Sequence, residues 1–105
     1  MLETYRRRRR LVHEGLNAVE GISCLLPDAT FYAFPNIKAL GMDSWDLARY
    51  LVREHQVAVV PGSIFGSNGE GYLRVSFAAG TEDLTEGLRR IARGAEAVRR
   101  MGKRP

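Results

Sequence analysis

The chain has 105 residues, 45% of them hydrophobic, a formal net charge of +4 and one cysteine. That length supports one small core and points to one domain, spanning residues 1–105, rather than two. Cys24 alone excludes an intrachain disulfide, and no uninterrupted apolar stretch stands behind the N-terminal arginines to make a secretory leader or a membrane span, so a cytoplasmic location follows by default.

From Leu2 to about Glu20 good helix formers dominate, with Leu2, Tyr5, Val12, Leu16 and Val19 at helical spacing and Gly21 placed to end the helix. A short strand, Ile22 to Leu25, is expected next. Pro27-Asp28 then makes a turn, and Phe31 to Phe34 forms an aromatic strand stopped by Pro35. Ser44 reads as the N-cap of a helix from Trp45 to about His55, with Trp45, Ala48, Leu51 and Val52 as its apolar stripe. Val57 to Val60 is an apolar, β-branched run and predicts a buried strand. Tyr72 to Phe77 alternates, with Leu73, Val75 and Phe77 on one face and Tyr72, Arg74 and Ser76 on the other. The last helix begins at a capping Thr81, carries Glu82 and Asp83 at its positive end and Arg99, Arg100 and Lys103 at its negative end, and lines up Leu84, Leu88, Ile91, Ala95 and Val98. The order helix-strand-strand-helix-strand-strand-helix predicts an α+β domain, a small, mostly antiparallel sheet with helices packed on one face.

The positive charge is carried by fourteen arginines against two lysines, Lys38 and Lys103. Arg6 to Arg10 are consecutive, so on a helix they sample every face and cannot form a one-sided nucleic-acid stripe. Arg74 is different, because it stands between apolar neighbours in a strand. A planar guanidinium clamps a carboxylate with two parallel hydrogen bonds, so the position invites a carboxylate-bearing ligand. The bland alternative is a surface ion pair with Glu70 or Glu82. Before that strand, Pro61-Gly62-Ser63-Ile64-Phe65-Gly66 forms a glycine-rich turn. A strand and not a helix follows it, which argues against a phosphate cradle and for a support that sets the height of Arg74, with Phe65 plugging the core. His13, His55 and Cys24 lack metal-ligand spacing, and Ser63, Ser67 and Ser76 lack a base partner, so neither a metal site nor a nucleophilic serine is expected.

Tyr5-x-x-Arg8-Arg9, Pro27-x-x-Thr30-Phe31-Tyr32-Ala33-Phe34, Val57 to Gly66 and Gly69-Glu70-Gly71-Tyr72-Leu73-Arg74-Val75-Ser76-Phe77 occur in the order and spacing of one family. Together they resemble the C-terminal, small domain of pyridoxal-phosphate-dependent aminotransferases of the aspartate aminotransferase type (fold type I, class I/II), from Leu2 to about Met101. The resemblance implies that Arg74 binds the α-carboxylate of an amino-acid or 2-oxo-acid substrate, and that Phe31 borders the active site. It implies pyridoxal phosphate as cofactor of the full-length enzyme, held by a large domain that this chain lacks. Pyridoxal chemistry needs a lysine joined to the cofactor, and neither Lys38 nor Lys103 stands in the family's lysine motif; the chain alone is therefore expected to bind no cofactor and to be inactive. Family enzymes are usually homodimers. Part of the Arg6–Arg10 run is then expected to belong to an interface with the large domain, and the isolated chain to self-associate. The competing reading is a free-standing basic α+β module for nucleic acid or a protein partner; against nucleic acid stands the lack of exposed aromatics interleaved with basic residues on one sheet face.

Overall fold

The computed structural model of the chain describes residues 2–27, 31–77 and 80–102, apart from the side chains of Leu2 and Thr81. The expected turn at Asp28, the Thr81 side-chain cap and the tail residue Lys103 lie outside what is described. Three helices, α1 (Leu2–Asn17), α2 (Ser44–Glu54) and α3 (Thr81–Gly102), are interleaved with the short strands β1 (Tyr32–Ala33), β2 (Val60–Pro61) and β3 (Leu73–Ser76). All pairing is antiparallel, in the order β1-β3-β2. The class is α+β, as expected.

Alternation along β3 decides where the core sits. Leu73, Val75 and Phe77 are buried, and they join Val12 and Leu16 of α1, Leu47, Ala48 and Leu51 of α2, and Leu84, Leu88, Ile91, Ala95 and Val98 of α3 in one cluster. Tyr32 stands opposite Ser76, and Val60 opposite Arg74. The pleat therefore puts Tyr32, Phe34, Arg74 and Ser76 together on the outer face, away from the helices.

The strand expected at Ile22–Leu25 is reduced to a single bridge between Ser23 and Asn36. The Asn17 side chain takes both backbone groups of Cys24, accepting from its N–H at 3.0 Å and donating to its carbonyl at 2.7 Å. An amide side chain thus occupies the place of a neighbouring strand, and α1 ends at Asn17 instead of running to Glu20. Gly21 does adopt positive φ, +92°, in the turn that follows.

The apolar run at Val57 also pairs less than expected, since only Val60 enters the sheet. Val57 N–H donates to the Leu51 carbonyl at 3.2 Å, and Arg90 donates to the Gln56 carbonyl at 2.8 Å. These bonds hold the run along α2 and α3 until residue 60. In α2 itself the cap is Asp43, whose carboxylate accepts from Asp46 N–H at 2.8 Å, while Ser44 is wholly buried. Burying Ser44 sets the helical phase to 44, 47, 48 and 51, so Trp45 and Val52 lie half exposed and not in the core.

Between β2 and β3 the chain makes two 3₁₀ turns, Gly62–Phe65 and Ser67–Gly69. Gly62 N–H donates to the Tyr72 carbonyl at 2.8 Å, and a Cβ at Gly62 would collide with the carbonyl oxygens of Gly69 and Tyr72. Backbone cannot yield as a flexible side chain does. Gly62→Ala is therefore expected to destabilise the fold by about 1–3 kcal/mol through overpacking, whereas Gly80→Ala, at a position where a Cβ meets open space, serves as the near-neutral control. Urea unfolding of the two variants checks this; equal midpoints would show that the loop is not closed by glycine contact.

Candidate functional site

Arg74 occupies the middle strand, half buried, with its guanidinium carbon 4.4 Å from the Tyr32 ring centroid and 5.0 Å from that of Phe65. Phe34 meets Phe65 edge to face, with centroids 6.4 Å apart. Tyr32 and Phe34 come from β1 and the residue after it, while Phe65 arrives from the 3₁₀ turn. Aromatic faces attract a cation through the ring quadrupole, yet they offer no carboxylate oxygen to its N–H donors.

No carboxylate among the described residues forms an ion pair with Arg74. The contrast with other half-buried arginines is informative. Arg9, Arg90 and Arg99 each donate to a backbone carbonyl, those of Pro27, Gln56 and Glu20. Arg74 has aromatic rings and nothing anionic, an arrangement that leaves a two-pronged donor edge for a ligand.

Glu70, one of the two carboxylates considered for Arg74, is engaged elsewhere. Its Oε2 accepts from Ser44 N–H and Gly71 N–H, and its Oε1 from the Ser44 hydroxyl, all at 2.9 Å. The Ser44 N–H and then its hydroxyl, helped by Gly71 N–H, hold the Glu70 carboxyl below its ordinary value against the opposing effect of desolvation. Such a group favours the folded state while ionised; its contribution is complete above the unfolded-state pKa and is lost as pH falls through the lowered folded-state value. Glu70→Gln should therefore reduce stability at pH 7, and the deficit should shrink as pH drops below about 4. Denaturant unfolding at pH 7 and pH 3 tests it, with an equal deficit at both pH values as the contrary result.

Phe31 lies on the other side of the sheet from Arg74. Its ring packs edge to face on Tyr5 at 5.3 Å and lies 6.1 Å from Phe77. The fold thus does not bring the two expected site residues, Arg74 and Phe31, together in this chain. Phe65, expected in the core, is 52% exposed and forms part of the outer platform instead. The reason is register: only residues of the Tyr32 parity share a face with Arg74, and the 3₁₀ turn swings Phe65 over that face.

Beside the platform runs an open groove of about 740 Å³, lined by Asn17, Cys24, Leu25, Pro27, Tyr32 and Tyr72 among others. Leu25 at its rim is 89% exposed, and Leu26, Phe34 and Ile64 are also half exposed or more. Burial pushes the Cys24 thiol up, with a backbone hydrogen bond at Phe34 opposing, so it is held as the unreactive thiol. Lys38 lays its methylene stem over Gly71 and its ammonium 5.2 Å above the Tyr72 ring. No helix of the described residues is long and apolar enough to cross a membrane.

Comparison with known proteins places this chain in a family. Residues 1–91 match the family model "Aminotransferase class I and II". The Bacillus subtilis protein YugH, which carries an aminotransferase name, is 52% identical over 93 residues, covering 89% of this chain and 24% of the relative. An aspartate aminotransferase of Pyrococcus horikoshii is 40% identical over 96 residues, covering 91% of this chain and 25% of its own length. Among solved structures, the aromatic aminotransferase from Pyrococcus horikoshii superposes with a TM-score of 0.85 at 41% identity, over 90% of this chain and 25% of that one. The chain thus spans about a quarter of the length of the relatives it matches. With a family match over 91 residues and the small α+β fold reproduced in a solved relative, the chain belongs to the class I and II aminotransferases.

Proposed function

We propose that this chain is the substrate-carboxylate-binding domain of a pyridoxal-phosphate-dependent aminotransferase, which moves an amino group between an amino acid and a 2-oxo acid. The observation that carries the reading is Arg74, whose guanidinium carbon lies over the Tyr32 and Phe65 rings and which has no carboxylate partner among the described residues. Its free edge suits the α-carboxylate shared by amino-acid substrate and oxo-acid product. One clamp therefore serves both directions of the exchange, contributing orientation and not bond-making.

Pyridoxal phosphate supplies the electron sink of such enzymes and is held through a lysine. The described residues do not fit that role: Lys38 is the only lysine among them, and its ammonium rests on Tyr72. On this reading the cofactor lysine lies in the remainder of a longer polypeptide, and this chain alone has no transaminase activity. The exposed Leu25, Leu26, Phe34 and Ile64 suit burial against that remainder. Left uncovered, the same surface favours self-association, and in the longer enzyme a cytoplasmic homodimer is the assembly the reading entails.

Two measurements test it. In ¹H–¹⁵N spectra of the arginine Nε–H groups, pyruvate should shift the Arg74 resonance saturably while exposed arginines such as Arg53 and Arg93 move little. Uniform movement of all of them would reduce Arg74 to a surface charge. Separately, pyridoxal phosphate followed by borohydride should leave no stoichiometric adduct, and a full equivalent trapped on Lys38 would overturn the division of labour.

A further inference from the structure

Ser44 is the one wholly buried polar residue among the described residues, and it joins two ends of one loop. Its hydroxyl donates to Glu70 Oε1 at 2.9 Å, lies 3.2 Å from the Ser63 hydroxyl, and accepts from Ser63 N–H at 3.4 Å. Its backbone N–H donates to Glu70 Oε2 at 2.9 Å. The first turn of α2 therefore grips residues 63 and 70, which bracket the segment carrying Phe65. Asp43 already satisfies Asp46 N–H, so Glu70 is a second carboxylate at the same helix start, supplied from 26 residues away. Glu70 also accepts from Gly71 N–H, and Gly71 in turn leads through Tyr72 into β3 and Arg74.

We infer that Ser44 and Glu70 are positioning residues for the Arg74 site: they anchor the 62–71 loop to α2 and thereby fix Phe65 as one of the two faces that orient the guanidinium. The inference rests on the carboxylate-binding reading of Arg74 for its functional meaning, but the geometry it asserts can be measured without that reading. A loop containing Gly62, Gly66, Gly69 and Gly71 has wide conformational freedom when untethered. Its own internal contacts are backbone turns, the glycine contact of residues 62 and 69, and the bond from Gly71 N–H to the Glu70 carboxylate. The tether to α2 adds the only side-chain hydrogen bonds that join this loop to another element among the described residues.

The consequence is a loop whose aromatic tip is set by a helix start. If the tether is cut, Phe65 leaves the guanidinium while Tyr32, fixed by β1 pairing, stays.

The test is made on the 105-residue chain. Phe65 and Tyr32 ring currents shift the Arg74 δ-methylene protons, and ring contacts among Tyr5, Phe31 and Phe77 report the core. Glu70→Gln and Ser44→Ala should each remove at least a third of the Arg74 displacement from its random-coil position and leave the core contacts in place. Ser63→Ala, which removes a single peripheral bond, should give a smaller change of the same sign. Arg74 protons that stay put while the Ser44 and Gly71 amides report loss of the carboxylate would overturn the inference. Should both stronger variants fail to fold, an unchanged Arg74 in Ser63→Ala together with free motion of the 62–71 amides would overturn it as well. Titrating wild type with sodium acetate separates the two claims: an Arg74 Nε–H that ignores acetate defeats the carboxylate reading, whereas the ring-current result stands or falls independently.

Discussion

Replacing Arg74 with alanine in a full-length aminotransferase that contains this sequence should lower kcat/KM for amino acid and oxo acid by about 30- to 4,000-fold, while cofactor content stays at wild-type level. The size follows from truncating one partner of a desolvated, hydrogen-bonded charge pair, about 2–5 kcal/mol, at about 1.4 kcal/mol per tenfold. Arg74→Lys should recover only part of the loss, since an ammonium keeps the charge but lacks the two-pronged edge and stacks less well between Tyr32 and Phe65. The effect should appear with both substrates, because the carboxylate is what they share. Steady-state kinetics with a cofactor absorbance spectrum check it, and a parallel loss of cofactor would show that Arg74 acts on the fold or on the cofactor site.

Phe77→Ala should have the largest effect on stability, about 3–5 kcal/mol. Phe77 is fully buried, follows directly on β3 on its inner side and lies 5.9 Å from the Tyr5 ring, so its removal leaves a hole between α1 and the sheet. A domain of this size holds about 5–15 kcal/mol in total, so the variant is expected to be partly unfolded at physiological temperature. Phe65→Ala makes the matching control. Its ring is half exposed, so stability should change by less than about 1 kcal/mol, yet Arg74 loses one of its two aromatic faces. Thermal unfolding of the pair separates the core from the site; a Phe65 variant as unstable as the Phe77 variant would return Phe65 to the core.

The two phenylalanines also show how far the sequence was legible. Phe77 alternates with Leu73 and Val75, and period two in a strand is a local signal that the sheet obeys. The stripe of α3 is legible for the same reason, with Leu84, Leu88, Ile91, Ala95 and Val98 all buried. Phe65 carries no such signal. Its placement depends on two 3₁₀ turns whose direction is set by the contact of Gly62 with Gly69 and by Ser44, which is distant in sequence. Ser44 itself reads locally as an N-cap, and only the approach of Glu70 turns it inward and shifts the buried phase of α2 away from Trp45. The strand at Ile22–Leu25 fails in the same way, because the side chain of Asn17 competes for the Cys24 backbone and no strand propensity records that competition. Arg74 stands out in the sequence by residue type and strand position, which is what makes it the candidate. What holds it, two ring faces from separate elements, belongs to the fold.

The carboxylate clamp is tested most directly by a crystal structure of the longer enzyme with a bound 2-oxo acid or unreactive dicarboxylate. The ligand carboxylate is expected in plane with the Arg74 guanidinium, joined by two parallel N–H···O bonds of about 2.7–2.9 Å, with the Tyr32 and Phe65 rings still against it. A carboxylate bound by other residues, with Arg74 turned to solvent or paired to a protein carboxylate, would contradict it.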